Sequence, residues 1–174
     1  MTRFEVLISE DQIQSRVAEL ASQVRSDYGE SPLLLVAVLK GSFVFLADLA
    51  RHLGESVEID FVQVSSYGDG ASSSGVVQIK KDLDVSIEGR DVLIVEDILD
   101  TGLTLAHLRE LFATRRPKSL RVVTLLSKPG AVRHQAQAEY VGFEIPDVFV
   151  VGYGLDHAER YRNLPYVAVL PHEV

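Results

Sequence analysis

Apolar positions along the chain follow two rhythms. Ile13, Val17, Leu20 and Val24 recur at helical spacing. The preceding Ser9-Glu10-Asp11-Gln12 reads as a capping box, with Ile8 and Ile13 placed as a hydrophobic staple. Pro32 opens an unbroken apolar run over residues 33–39, the pattern of a strand covered on both faces. Lys40-Gly41-Ser42 turns that strand into a helix bearing Phe43, Leu46, Ala47, Ala50 and Leu53, which Gly54 ends. A strand is predicted over residues 57–65, where Val57, Ile59 and Phe61 alternate. Residues 67–75, rich in Gly and Ser, have no period and read as a mobile loop, with a returning strand at 76–79.

The apolar run at 92–95 is expected to break at Glu96-Asp97 and to lead into a helix over about 104–113. Pro117 separates that helix from a strand at 120–126, and short strands are predicted at 141–145, 148–151 and 167–170. Strands alternating with helices in the middle of the chain predict an α/β fold with a mostly parallel central sheet flanked by helices. No linker or repeat divides the sequence, so residues 1–174 are read as one domain. Its hood would come from about 1–12 and 128–174, and its mobile β-loop from about 65–78.

Composition narrows the options. At 174 residues and 47% hydrophobic, the chain can bury a full core, and with no Cys it has no disulfide or thiolate metal site. The opening Met1-Thr2-Arg3-Phe4-Glu5 lacks an apolar leader core, and charges interrupt every run before it could span a bilayer. A cytoplasmic protein with no membrane partner is expected. The net charge of −8 argues against coating a nucleic acid, and it means that a phosphate-rich ligand must be neutralised locally.

The candidate chemistry lies at Glu96, Asp97 and Asp100, followed by Thr101-Gly102-Leu103-Thr104. Helix capping would use one such residue, not three acids closed by Thr-Gly and a further Thr. Carboxylates at the carboxyl end of a strand occupy the ligand edge of an open α/β sheet. Amides around 101–104 can wrap a phosphate at a helix N-terminus. Lys40 and Gly41 would face the same crevice if their strand neighbours the acidic one. Ser66-Tyr67 heads the long polar loop, and such loops in compact domains are usually functional or disordered. The five His residues show no metal-ligand spacing.

The stretch Val95-Glu96-Asp97-Ile98-Leu99-Asp100-Thr101-Gly102-Leu103-Thr104 resembles the 5-phosphoribosyl-1-diphosphate (PRPP) motif of type I phosphoribosyltransferases. Leu39-Lys40-Gly41, Ser66-Tyr67, Ser127-Lys128-Pro129, the segments 141–147 and 149–156, and Tyr161-Arg162-Asn163-Leu164 are similar to blocks of the bacterial hypoxanthine-guanine branch, in that family's order. Residues 130–138 match nothing, and His157 stands where a Tyr is common.

The resemblance implies specific roles. Glu96 and Asp97 would hold the ribose hydroxyls with Mg²⁺, and Asp156 a second Mg²⁺. Asp100, Thr101, Gly102, Leu103 and Thr104 would bind the 5′-phosphate, with Asp100 also the general base at purine N7. Lys128 would donate to the 6-oxo group, Phe149 would stack on the base, and the Val150 backbone would meet its Watson–Crick edge, with Ile98 also against the purine. Lys40, Gly41 and Arg162 would hold diphosphate, with a non-proline cis peptide at Lys40. Ser66 and Tyr67 would close over the site. Substrates would be PRPP and 6-oxopurines, and the assembly a homodimer or homotetramer. A relative preferring xanthine, a PRPP-sensing regulator that binds nucleic acid, and a domain with a vestigial pocket are the other readings. The last two fit poorly with the net charge and with an intact set of Asp100, Lys128, Asp156 and Arg162.

Overall fold

The computed structural model describes residues 4–66 and 76–171. After a short strand, β1 (Glu5–Ile8), helix α1 (Glu10–Tyr28) begins at the expected capping box. The Ser9 hydroxyl accepts from the Gln12 amide at 3.2 Å, and the Gln12 side chain accepts from the Ser9 amide at 2.9 Å. Ile13, Val17, Leu20, Ala21 and Val24 are buried along one face of α1.

The next strand, β2 (Leu33–Leu39), is the spine of the fold. It lies parallel between β3 (Val57–Ser66) and β5 (Asp91–Leu99). Leu33, Leu35 and Ala37 face the core under α1 and helix α2 (Phe43–His52), whereas Leu34, Val36 and Val38 face the core under helix α3 (Leu103–Ala113). An uninterrupted apolar run is what a strand needs when helices cover both its faces. The antiparallel β4 (Val77–Lys81) lies beyond β3, and β6 (Ser119–Ser127) and β7 (Tyr140–Glu144) continue the sheet past β5. The order is β4-β3-β2-β5-β6-β7, parallel except for β4. A separate antiparallel sheet joins β1 to β9 (Val167–Val169) and β9 to β8 (Val150–Val151). Among the described residues no helix is long and apolar enough to cross a membrane.

Four expectations are corrected. In α2 the buried face carries Phe45, Leu46 and Leu49, while Phe43, at the first helical position, is 45% exposed. The helix is phased by its middle turns, and its first residue points away from the core. In β3 Ile59 is 47% exposed and the buried positions are Asp60 and Val62. Asp60 tolerates burial because its carboxylate accepts from the amides of Asp84 and Val85 at 2.9 and 3.1 Å.

The strand expected at 92–95 continues through the acids to Leu99. Glu96 pairs with Thr124, Ile98 with Leu126 and Leu99 with Ser127, so the β6 ladder overrides the poor strand propensity of acidic residues. Finally, the tail does not all go to the hood. β7 pairs with β6 in the central sheet, where Gly142 lies so close to Leu125 that a Cβ would come 2.4 Å from the Leu125 carbonyl oxygen.

Candidate active site

Two parallel neighbours, β2 and β5, end at the same sheet edge, each feeding a helix. The β2–α2 turn contains a cis peptide between Leu39 and Lys40. Gly41 follows, and a Cβ there would stand 1.7 Å from Oδ2 of Asp97, so the missing side chain makes room for that carboxylate. Asp97 also accepts from the Ile98 amide at 2.7 Å. Glu96 is 7% exposed. Burial, together with the negative charge of Asp97 beside it, pushes Glu96 well above the usual carboxylate range, and burial raises Asp97 as well. Both are therefore poor bare anions, awaiting positive charge.

The elbow after β5 is tight and braced from behind. Gly102 caps α3 with φ 86°, a conformation that disfavours a side chain, and a Cβ there would meet the Ala136 methyl at 2.7 Å. The Thr101 carbonyl accepts from the Arg133 and His134 amides at 2.9 and 3.1 Å. Residues 130–138, which match no motif, thus brace the back of the elbow. Glu96, Ile98 and Thr104 line two adjoining hollows, one shared with Asp100 and Thr101, the other with Gly41 and Asp97. The first amides of α3 have no intrahelical acceptors, and the helix dipole adds positive potential there.

Across the elbow stands Lys128, 6% exposed. Its amide donates to the Leu99 carbonyl at 2.9 Å, and its Nζ lies 3.5 Å from Asp100 and 3.6 Å from Asp147. Phe149 is 45% exposed, edge-on to the His157 ring at 5.6 Å. Val150 is buried and pairs with Val169.

The remaining charges gather over the β2–α2 turn. Arg162 donates to the Gly154 carbonyl at 2.8 Å and lies 3.1 Å from Asp156 and 3.4 Å from Glu159. Glu159 also accepts from Lys40 at 3.0 Å, and that bond and charge hold its carboxyl below the ordinary value. A Cβ on Gly154 would stand 2.1 Å from the Gly41 carbonyl oxygen, so the tail lies directly on the turn. The fold therefore brings Lys40, Gly41, Asp156 and Arg162 into one group, and Asp100 and Lys128 into another. Ser66 ends β3 opposite Val77, whereas Tyr67 lies outside the described residues. Among the described residues no set of three or more His, Cys, Asp or Glu could by itself hold a metal ion. Asp147 and Glu159 were not singled out from sequence. Both sit inside segments with recognisable neighbours, but nothing local marks them as partners of distant lysines.

Comparison with known proteins agrees with this geometry. A family model described as phosphoribosyl transferase domain matches residues 9–158. The chain is similar to the hypoxanthine-guanine phosphoribosyltransferase of Bacillus subtilis (strain 168), 56% identical over 165 residues that cover 95% of this chain and 92% of that protein. It is 54% identical to the Mycobacterium tuberculosis (strain ATCC 25618 / H37Rv) protein of the same name, over 95% of this chain and 85% of that one. A crystal structure of a hypoxanthine-guanine phosphoribosyltransferase from Bacillus anthracis superposes with a TM-score of 0.93 at 50% identity, covering 97% of this chain and all of the other. With the acidic elbow, its facing lysine and the tail that closes over them, the chain belongs to the phosphoribosyltransferase family, in its hypoxanthine-guanine branch.

Proposed function

We propose that the protein salvages purines, transferring the 5-phosphoribosyl group of PRPP to hypoxanthine or guanine to give IMP or GMP and diphosphate. The observation that carries this reading is the approach of buried Lys128 to Asp100, a base-recognising cation beside a proton acceptor at the mouth of a phosphate elbow. Residues 101–104 hold the 5′-phosphate, where the first amides of α3 have no intrahelical acceptors and the Leu103 amide reaches only the Thr101 hydroxyl, at 3.4 Å. Lys40, Gly41 and Arg162 hold the diphosphate. Arg162 has a buried Nε with no partner among the described residues. Lys128 donates to the purine 6-oxo group. A 6-amino group would present a donor to a donor, leaving both buried and unpaired. Phe149 covers one face of the base, and the backbone at Val150 meets its edge. Asp100 takes the purine proton as the ring nitrogen attacks, a positioned transfer worth roughly 10²–10⁴-fold.

The donor set suits Mg²⁺. Glu96 and Asp97 offer two hard oxygens at one strand end, both made reluctant anions by their surroundings. A site of one or two carboxylates completed by substrate phosphates is the usual way to bind this ion. Asp156 would hold a second ion with lone pairs left over from Arg162 and the Glu159 amide. When bound, Mg²⁺ supplies neutralisation of the charge that grows on the departing diphosphate. Closure of the Ser66-Tyr67 loop would exclude water that otherwise hydrolyses the activated sugar. The reading extends to a cytoplasmic homodimer or homotetramer, as the family resemblance implies.

Purified protein assayed with PRPP, Mg²⁺ and each of hypoxanthine, guanine, xanthine and adenine tests it. IMP and GMP should form, adenine should be inert, and a chelator should abolish turnover. Turnover of xanthine alone would favour the xanthine reading, and no turnover with any base would overturn the assignment.

A further inference from the structure

Tyr153 sits where a tyrosine is costly. Its φ is 50°, between Gly152 at 99° and Gly154 at 98°, so three successive residues are left-handed. Such backbone persists only where its surroundings over-determine it. The determining contact spans the molecule. Tyr153 is 2% exposed, and its hydroxyl donates to Oδ2 of Asp48 at 2.5 Å, 105 positions away in sequence. Asp48 in turn accepts from Gln14 on α1 at 3.1 Å and from Arg51 one turn along α2. Burial works against this carboxylate, yet the bonds from Tyr153, Gln14 and Arg51 hold it below its ordinary value, and burial with the Asp48 bond raises the Tyr153 phenol.

We propose that the Tyr153–Asp48 bond is a positioning latch that sets the tail against the Lys40-Gly41 turn and so fixes the geometry of the diphosphate subsite. The proposal rests on the assignment of Lys40, Gly41 and Arg162 to diphosphate. Asp48 stands in the middle of α2, which starts at Phe43 two residues after Gly41, so one short helix links the latch to the turn. On the other side of the latch, the residue after Tyr153 is Gly154. It packs on the Gly41 carbonyl and receives the Arg162 guanidinium. The Tyr153 and Gly154 amides donate to the Leu164 and Arg162 carbonyls at 2.8 and 2.9 Å, which ties the Arg162 turn to the same point. One phenol–carboxylate bond therefore sets where Arg162 stands relative to Gly41 and Lys40. Neither Tyr153 nor Asp48 needs to touch the ligand.

Diphosphate binding in the presence of Mg²⁺, measured calorimetrically on the full chain, reads the latch directly. Tyr153→Phe keeps the ring and removes the bond. It should weaken diphosphate binding and raise the PRPP KM by about five- to tenfold, the size of one ordinary hydrogen bond, since the charged bond acts on the subsite only through the backbone it positions. The hypoxanthine KM should stay within about twofold. Asp48→Asn retains an acceptor oxygen and should bind diphosphate like the parent, whereas Asp48→Ala should reproduce Tyr153→Phe. A merely structural tie would lower Tm in Tyr153→Phe or Asp48→Ala with diphosphate affinity unchanged, and that result overturns the proposal. Arg162→Gln separates the two levels. If it abolishes diphosphate binding while Tyr153→Phe and Asp48→Ala bind normally, the latch is refuted and the subsite stands. If Arg162→Gln also binds normally, both fall. Should Tyr153→Phe fail to fold, the Asp48→Asn and Asp48→Ala pair decides by the same criterion.

Discussion

Nζ of Lys128 stands 3.5 Å from Oδ2 of Asp100, across 28 positions of sequence. The separation is long for a charge-assisted hydrogen bond, so the pair is held near contact without being locked. Lys128 is anchored by its own amide on Leu99, the residue before Asp100, and both groups therefore ride on the paired ends of β5 and β6. The register of the sheet thus sets a buried ammonium beside a half-exposed carboxylate.

Asp100→Asn should keep the elbow's shape and remove the proton acceptor. Turnover is expected to fall roughly 10²- to 10⁴-fold, with PRPP affinity changing far less. Steady-state kinetics with hypoxanthine check this, and near-normal turnover would remove the general-base role.

Lys128→Ala should raise the KM for hypoxanthine and guanine by about 10- to 100-fold, the range for losing a hydrogen bond from a charged donor. PRPP binding, measured separately, should be almost unaffected. Unchanged purine kinetics would mean that the 6-oxo group is read by something else.

Much of the fold was legible because local patterns and the tertiary structure agree. The Ser9 capping box, the doubly buried run of β2 and the antiparallel excursion of β3 and β4 are set by nearest neighbours and by which faces are covered. What escaped depends on distant partners. Glu96 and Asp97 read as a break because acids disfavour strands, and only β6 alongside explains why the strand runs on. Ile59 read as inward because its neighbours alternate, but the amides that bury Asp60 come from residues 84 and 85. Nothing around Lys128 in the sequence announces a buried cation, and residues 130–138 brace the elbow through backbone bonds that leave no side-chain signature.

Glu96→Gln tests the electrostatic cost of the acidic pair. The folded-state pKa of Glu96 lies above its ordinary value of 4.5, so between the two the folded protein holds a proton that the unfolded chain releases. Stability from this group is thus lost as pH rises above about 4.5 toward the folded value. Without ligand, the amide variant should melt higher than the parent at about pH 7.5, by about 0.5–2 kcal/mol, with the gap closing on acidification. PRPP binding with Mg²⁺ should weaken at the same time. A variant that melts lower at neutral pH would show that Glu96 is not a strained anion.

Gly154→Ala should be among the most damaging small substitutions. Its φ of 98° disfavours any side chain, and the added methyl would press on the Gly41 carbonyl. A loss of about 1–3 kcal/mol in chemical denaturation is expected. Gly29→Ala is the control, since it also has positive φ but meets no atom within 4 Å, and it should cost less.

Pairing of Val150–Val151 with Val167–Val169 also orders events on the ribosome. Once residue 127 has emerged, β2 and β5 have the strands they pair with, and β6 lacks only the β7 edge. β8, by contrast, waits for β9, and β1, made at the outset, waits with it. A nascent chain halted before Val167 would hold the acidic elbow and Lys128 but not the pairing of the small sheet. Translation thus supplies the two sheets in sequence, and the small one is finished last.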